Sequence, residues 1–317
     1  MENAGARMSE CPLQELDARP HSGRAGPELR VMLVVLVALV GAYACDKTDA
    51  LDLIRMASIE QNVGLYNVAV ATWTKVIELG TLSKDDLATA YANRGTAYRD
   101  TRQYDRAMDD YNKAVELNPR DARAYVLRGT VHVLTEQYDR VIEDCSKAIE
   151  LDPQYAMAYN NRGVAYQITR EYDRAIEDFT EVIKLNPKDA RAYYKRGNAY
   201  AEKRQYDRAI EDYNKAVELN PGDIIGYTYR GYAHIRSKQY RRAIEDYNKA
   251  IELNPQNLIS YYNKACAYSL MNNPQESCRW LGIAVEKGYT DWNTIKNDSD
   301  FRNIRNAVCY KKLMMGK

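Results

Sequence analysis

The chain of 317 residues carries 45 Lys and Arg against 44 Asp and Glu, a formal charge of +1. That balance argues against a nucleic-acid binder, which would show a basic excess or stripe. Six cysteines with no C-x-x-C pair, and three histidines, offer no short-spaced ligand cluster for zinc. Tyrosine outnumbers phenylalanine 27 to 2, a bias that a copied tyrosine-bearing unit produces.

Residues 1–30 are polar, contain Pro and Gly, and lack helical periodicity, so they are expected to be disordered. Val31 to Ala44 is a nearly unbroken apolar run with Arg24 and Arg30 before it. It is shorter than the roughly 20 residues of a membrane-spanning helix. It fits the apolar region of a secretory signal, with small residues at Ala42 and Ala44 before the cut. Ala42-Tyr43-Ala44-Cys45 resembles a bacterial lipoprotein box, which implies lipidation at Cys45. It departs from the usual box, because Ala42 stands where Leu is common and Tyr43 where a small residue is common. The alternatives are an uncleaved membrane anchor over 31–45, plain secretion, or no signal at all. With a lipid or an anchor, the positive-inside rule exports everything after Cys45. The expected location is then membrane-associated, on the periplasmic face of a bacterial cell envelope; without a signal it is cytoplasmic.

From residue 88 the chain keeps a strict beat. Pro119, Pro153, Pro187, Pro221 and Pro255 each follow the last by 34 residues. The pairs Arg94-Gly95, Arg128-Gly129, Arg162-Gly163, Arg196-Gly197 and Arg230-Gly231 keep the same interval, as do Tyr104, Tyr138, Tyr172, Tyr206 and Tyr240. Three columns in register over five copies define a repeat array. Apolar residues inside each copy recur at three and four, so each copy is read as a pair of amphipathic helices. Asp121, Asp189, Asp223 and Asn257 are placed to cap the first helix of a copy, and the loop proline ends the second. The units are 88–121, 122–155, 156–189, 190–223 and 224–257, with divergent copies at 50–87 and 258–291 and a capping segment at 292–317.

These columns resemble the tetratricopeptide repeat (TPR) family. An early large residue recurs at Tyr91, Tyr125, Tyr159, Tyr193, Tyr227 and Tyr261. It is followed by the Gly column, a second aromatic column from Tyr98 to Tyr268, and the helix B residues Ala107, Tyr111 and Ala114 with their counterparts. The resemblance implies an all-α fold, a right-handed α-solenoid of stacked helix-turn-helix repeats, with a protein or peptide partner on the concave face lined by the first helices. Projection puts Asn93, Thr96, Arg123, Asn160, Asn161, Arg191, Tyr194, Lys195, Asn198, Tyr229, Tyr232 and Asn263 on that face, with Thr130, Thr228 and Tyr262 beside them. Asn side chains bond peptide backbone, and Tyr adds stacking area at low entropy cost. Some members of the family clamp a carboxylate with a set Lys, Asn and Arg pattern over three repeats, which this sequence does not reproduce.

Nothing in the sequence assembles catalytic chemistry. His132 and His234 stand in a packing column that Tyr fills elsewhere, and Cys145 replaces a core aromatic. Cys266 and Cys278 lie on opposite helices of one hairpin, where an exported protein could bridge them or leave both free. Asp109, Glu143, Glu211 and Glu245 precede Lys113, Lys147, Lys215 and Lys249 by four residues and are read as surface pairs. The expectation is a non-enzymatic interaction scaffold without metal, nucleic-acid partner or small-molecule cofactor. The alternatives are an envelope module for cell-wall glycan or peptide, and a cytoplasmic adaptor.

Overall fold

A computed structural model describes residues 49–315, which fall into two compact units, 49–169 and 170–315. The apolar run and Cys45 lie outside the described residues. No helix among the described residues is long and apolar enough to cross a membrane.

The first unit runs α1 (Ala50–Asn62), α2 (Tyr66–Glu78), α3 (Lys84–Asp100), α4 (Tyr104–Leu117), α5 (Ala122–Leu134), α6 (Tyr138–Leu151) and α7 (Ala156–Ile168). The second runs α8 (Tyr172–Leu185), α9 (Ala190–Glu202), α10 (Tyr206–Leu219), α11 (Ile224–Arg236), α12 (Tyr240–Leu253), α13 (Leu258–Leu270), α14 (Pro274–Glu286), α15 (Trp292–Asn297), a 3-10 turn (Ser299–Phe301) and α16 (Val308–Met314). Within each unit consecutive helices pack as hairpins, and each hairpin stacks on the next. This is the helix-turn-helix arrangement of an α-solenoid.

Local chemistry sets these boundaries. The side chains of Asp121, Asp189 and Asp223 accept from the N–H two residues on, and Asn257 from that of Ser260, so the sequence-predicted caps are formed. Ser83 caps α3 by accepting from Asp86 N–H at 3.1 Å. Helix A ends on a left-handed residue in the five regular copies and in the divergent copy 258–291: Arg102, Glu136, Arg170, Arg204, Lys238 and Asn272 have φ between 56° and 65°. In the second regular copy Gln137 N–H returns to His132 C=O at 2.8 Å and Glu136 N–H to Val133 C=O at 3.1 Å, a Schellman closure. That turn delivers the chain into helix B after two residues.

The core lies where helix A meets helix B. Ala107, Tyr111 and Ala114 of α4 are fully buried, as are Ala209 and Tyr213 of α10. The tyrosine rings lie flat against the glycine column. A Cβ at Gly95 would meet Tyr111 Cε1 at 2.9 Å, and one at Gly197 would meet Tyr213 Cε1 at 2.8 Å. A buried ion pair adds a second tie. Arg94 donates to both oxygens of Asp110 at 2.9 and 2.7 Å, Arg128 to Asp144 at 2.9 and 2.6 Å, and Arg196 to Asp212 at 2.9 and 2.7 Å. Each guanidinium also lies over the early tyrosine of its own repeat, 5.3 Å from the ring centre for Arg94 on Tyr91 and 5.4 Å for Arg230 on Tyr227. In the last hairpin Lys264 replaces the arginine and Trp280 the aspartate, and the ion pair becomes a cation on a ring, Nζ 3.2 Å from its centre.

Two sequence expectations change. The surface lysines do not pair with the carboxylates four residues before them. Lys113, Lys147, Lys215 and Lys249 pair instead with Glu116, Glu150, Glu218 and Glu252, three residues later. Helix side chains lean toward the N-terminus, so each glutamate reaches back over its lysine. Cys266 and Cys278 are not bridged. Cys278 is bonded to Cys309 of α16, and Cys266 is a buried free thiol. The partner of Cys278 arrives from the capping segment, which folds back on α14. Phe301, Ile295, Ile304 and Tyr310 of that segment are buried with Tyr262 and Leu281.

Candidate functional site

The sequence-predicted concave residues behave differently in the two units. In the first they bond to one another. Arg123 Nη2 donates to Asn93 Oδ1 at 2.8 Å, Asn161 Nδ2 to Thr130 Oγ1 at 3.3 Å, and Asn160 Nδ2 to Asn161 Oδ1 at 3.1 Å. Thr96 shares a hydrogen bond with the Tyr111 hydroxyl at 3.1 Å. Asn161 is only 4 % exposed, so it serves the packing of α7 against α5 and is not open to a ligand. This face is a self-satisfied polar ladder.

In the second unit the same positions build an aromatic surface. Tyr194 is buried and meets Tyr229 edge-on, with ring centres 5.1 Å apart. Tyr194 is therefore a support and not an open contact. Beneath both lies Tyr213, whose hydroxyl donates to Asn198 Oδ1 at 2.7 Å. Tyr229 and Tyr232 remain half-buried. On α11 they continue a stripe, Ile225, Tyr229, Tyr232, Arg236, at helical spacing on one face. Ile225 is 44 % exposed and Ile259, at the matching position of α13, is 46 % exposed, so the two present apolar surface beside the tyrosines. Arg191 and Lys195 of α9 stand at the exposed and half-exposed edge of the surface, and Asn263 of α13 is half-buried.

The capping segment ends this surface. Tyr262 stacks on Tyr289 at 4.7 Å, meets Phe301 edge-on at 5.5 Å, and donates its hydroxyl to Asp298 Oδ2 at 2.5 Å. Tyr262 is thus covered and lines nothing. Thr228 is also buried, bonding the Ile224 carbonyl at 2.9 Å. Arg236 forms an ion pair with Asp300 at 3.7 Å and lies over the Tyr232 ring at 5.9 Å. Sequence projection missed Ile225, Ile259 and Arg236. The i, i+4 spacing of Ile225 and Tyr229 carried the first; the role of Arg236 depends on the cap.

The two histidines are core residues, each 5 % exposed. Burial, then the charge of Arg230, lowers His234 from its ordinary value to about 4. Burial likewise lowers His132, with Asp144 opposing. Their Nε2 atoms lie 3.7 Å from Asp246 and 3.8 Å from Asp144, carboxylates already held by Arg230 and Arg128. A base so placed is neutral and blocked from substrate.

Tetratricopeptide repeat models match residues 88–121, 122–155, 160–224, 224–257 and 246–279, more than half of the chain. No curated protein matches it. Among solved structures, the C-terminal part of a TPR repeat-containing protein from Cytophaga hutchinsonii superposes with a TM-score of 0.63 at 19% identity, over 76% of this chain and 98% of that one. MamA protein is similar at 29% identity and a TM-score of 0.51, over 53% of this chain and 92% of its own. YrrB, a TPR protein with an unusual peptide-binding site, is similar at 24% identity and a TM-score of 0.54, over 61% of this chain and 97% of its own. With the columns in place, the hairpins formed and the models matched, the chain belongs to the tetratricopeptide repeat family.

Proposed function

We propose that the chain is an interaction scaffold whose aromatic face on α9, α11 and α13 binds an extended segment of a partner protein. The observation that carries this is the stripe Ile225, Tyr229, Tyr232, Arg236 with Ile259 beside it, apolar and open where a stable helical repeat has no need of exposed isoleucine. A peptide laid there gains burial against the isoleucines and ring contact with the tyrosines. Arg191, Lys195 and Arg236 favour carboxylate-bearing residues along it. YrrB, which shares this fold, has a peptide-binding site. The face offers apolar, aromatic and cationic contacts, which suit recognition.

The partner is met outside the cytoplasm, with the chain tethered at a bacterial envelope through Cys45 or its apolar run. The Cys278–Cys309 disulfide supports this, because such bonds persist in oxidising compartments. Mass spectrometry of the mature N-terminus reads it directly. Lipid on Cys45 is expected; an intact terminus in a soluble fraction overturns the tether.

The binding test uses Ile225→Asp with Ile259→Asp. Both side chains are exposed and sit in the first turn of a helix, where a carboxylate favours the dipole, so folding is retained. The wild-type chain captures a protein from its native envelope fraction and the double variant loses it. Equal capture refutes the assignment. Capture of wall fragments in place of protein, lost in the same variant, would move the reading to a glycan-binding module.

A further inference from the structure

Cys266 stands in the column of helix A that holds Thr96, Thr130, Val164, Asn198 and Tyr232 in earlier copies. Its thiol is 2 % exposed and unbridged. The capping segment lays two carboxylates against it. Asp298, 3 % exposed, places Oδ2 3.8 Å from Cys266 Sγ, and Asp300 follows two residues later. One donor atom from each of the three residues lies within 4.8 Å of the other two.

Anchoring the cap does not need all three. Asp298 does that alone, accepting from the Tyr262 hydroxyl at 2.5 Å and from Asp300 N–H at 2.9 Å. The Asp300 carboxylate and the Cys266 thiol are surplus to it, and the cation facing Asp300 is Arg236, at 3.7 Å. A separate observation points to the same place. Tyr247 is fully buried, and its hydroxyl has no hydrogen-bond partner. The equivalent hydroxyls are satisfied from the column of Cys266: Tyr111 by Thr96 at 3.1 Å and Tyr213 by Asn198 at 2.7 Å. Beside Tyr247 that column holds Tyr232, and Tyr247 is buried in one cluster with Ala267, the residue after Cys266. A buried polar atom without a partner, on the helix packed next to the one that carries Cys266, fits a region whose ligand is missing.

We propose that Cys266, Asp298 and Asp300 bind one divalent transition-metal ion, Zn2+ in the first place. A thiolate with two carboxylates suits a cation of borderline softness, and Mg2+ and Ca2+ demand more oxygens and no sulfur. Zn–S bonds of about 2.3 Å and Zn–O bonds of about 2.0 Å require the donors to close in by roughly 1 Å. Water takes the fourth position. Metal enters beside Asp300, whose side chain is 19% exposed, and the thiol proton leaves to solvent as the Zn–S bond forms. The site joins the cap to helix A of the last hairpin, so metal would fix the end of the aromatic face.

The test titrates the chelator-stripped full chain with Co2+ as a spectroscopic probe. One equivalent should bind with a thiolate-to-cobalt charge-transfer band, and Zn2+ should displace it. Cys266→Ser should abolish the band and weaken Zn2+ binding at least about tenfold. Asp300→Asn should weaken binding and keep the band, and Cys145→Ser should change neither. Unchanged far-ultraviolet circular dichroism of the metal-free variants separates lost ligation from lost folding. Absence of stoichiometric binding to the folded wild type overturns the proposal, as does a band that survives Cys266→Ser.

Discussion

Gly197→Ala adds one methyl to a helix and should nevertheless destabilise the protein. The new Cβ would stand 2.8 Å from Tyr213 Cε1, 3.0 Å from Cδ1 and 3.3 Å from Asp212 Cβ. Ring carbons pack no closer than about 3.5 Å, so the ring must move by more than half an ångström. It has nowhere to go, because Tyr213 is fully buried and its hydroxyl is held by Asn198 at 2.7 Å. Overpacking of this kind costs about 1–3 kcal/mol, against which alanine returns about 1 kcal/mol of helix propensity. The net loss is up to about 2 kcal/mol. The chain supplies its own control in Gly129, where Cys145 replaces the tyrosine. A Cβ there meets Sγ at 3.4 Å and Asp144 Cβ at 3.6 Å, ordinary contact distances. Gly129→Ala should be neutral or stabilising by up to about 1 kcal/mol. Urea unfolding followed by circular dichroism, with amide exchange in α9 and α10 to localise the effect, compares the two. Shifts of the same sign and size would refute the packing argument.

Three further outcomes follow from the same geometry. Asp212→Asn removes the partner of a guanidinium that is 19% exposed and should cost about 3 kcal/mol in urea, whereas Lys215→Ala, which breaks a surface pair, should cost nothing measurable. Because His234 is held near 4 and an unfolded histidine takes its proton near 6.5, the unfolded chain binds the extra proton between those values. Stability contributed by the neutral imidazole is therefore complete above pH 6.5 and falls by up to about 3 kcal/mol toward pH 4; His234→Tyr should flatten melting temperature against pH there, and equal slopes would sink the assignment. Arg204 holds φ 58°, which an L residue adopts at a cost that glycine avoids, so Arg204→Gly should raise the unfolding free energy read from urea titration by up to about 1 kcal/mol.

The repeat was legible because it is written in spacing. Pro119 and its successors, the Arg-Gly pairs and the early tyrosines are local signals copied along the chain, and a column read in one hairpin holds in the next. The Asp121 and Asp189 caps needed only their own helix starts. The ion pair of Arg94 with Asp110 was present as a spacing of 16 residues, but nothing local separates it from the surface charges around it. The sequence marks 292–317 as a capping segment, but the partners it docks on are not written in spacing. Its docking buries Tyr262, brings Cys309 to Cys278 and sets Asp298 against Cys266, contacts across 31 to 36 residues with no periodic signal. For the candidate site, projection located the face but not its quality. In the first unit Asn93 and Arg123 satisfy each other, and in the second Tyr194 retreats beneath Tyr229, leaving Ile225 and Ile259 at the surface.

Site-specific photocrosslinking puts the aromatic face itself to the test. A photoreactive phenylalanine at position 232, on α11, should crosslink to the bound partner, while the same group at the exposed Glu245 position of α12 should not. Crosslinks from position 245 with none from 232 would place the partner on the other side of the repeats and contradict the account.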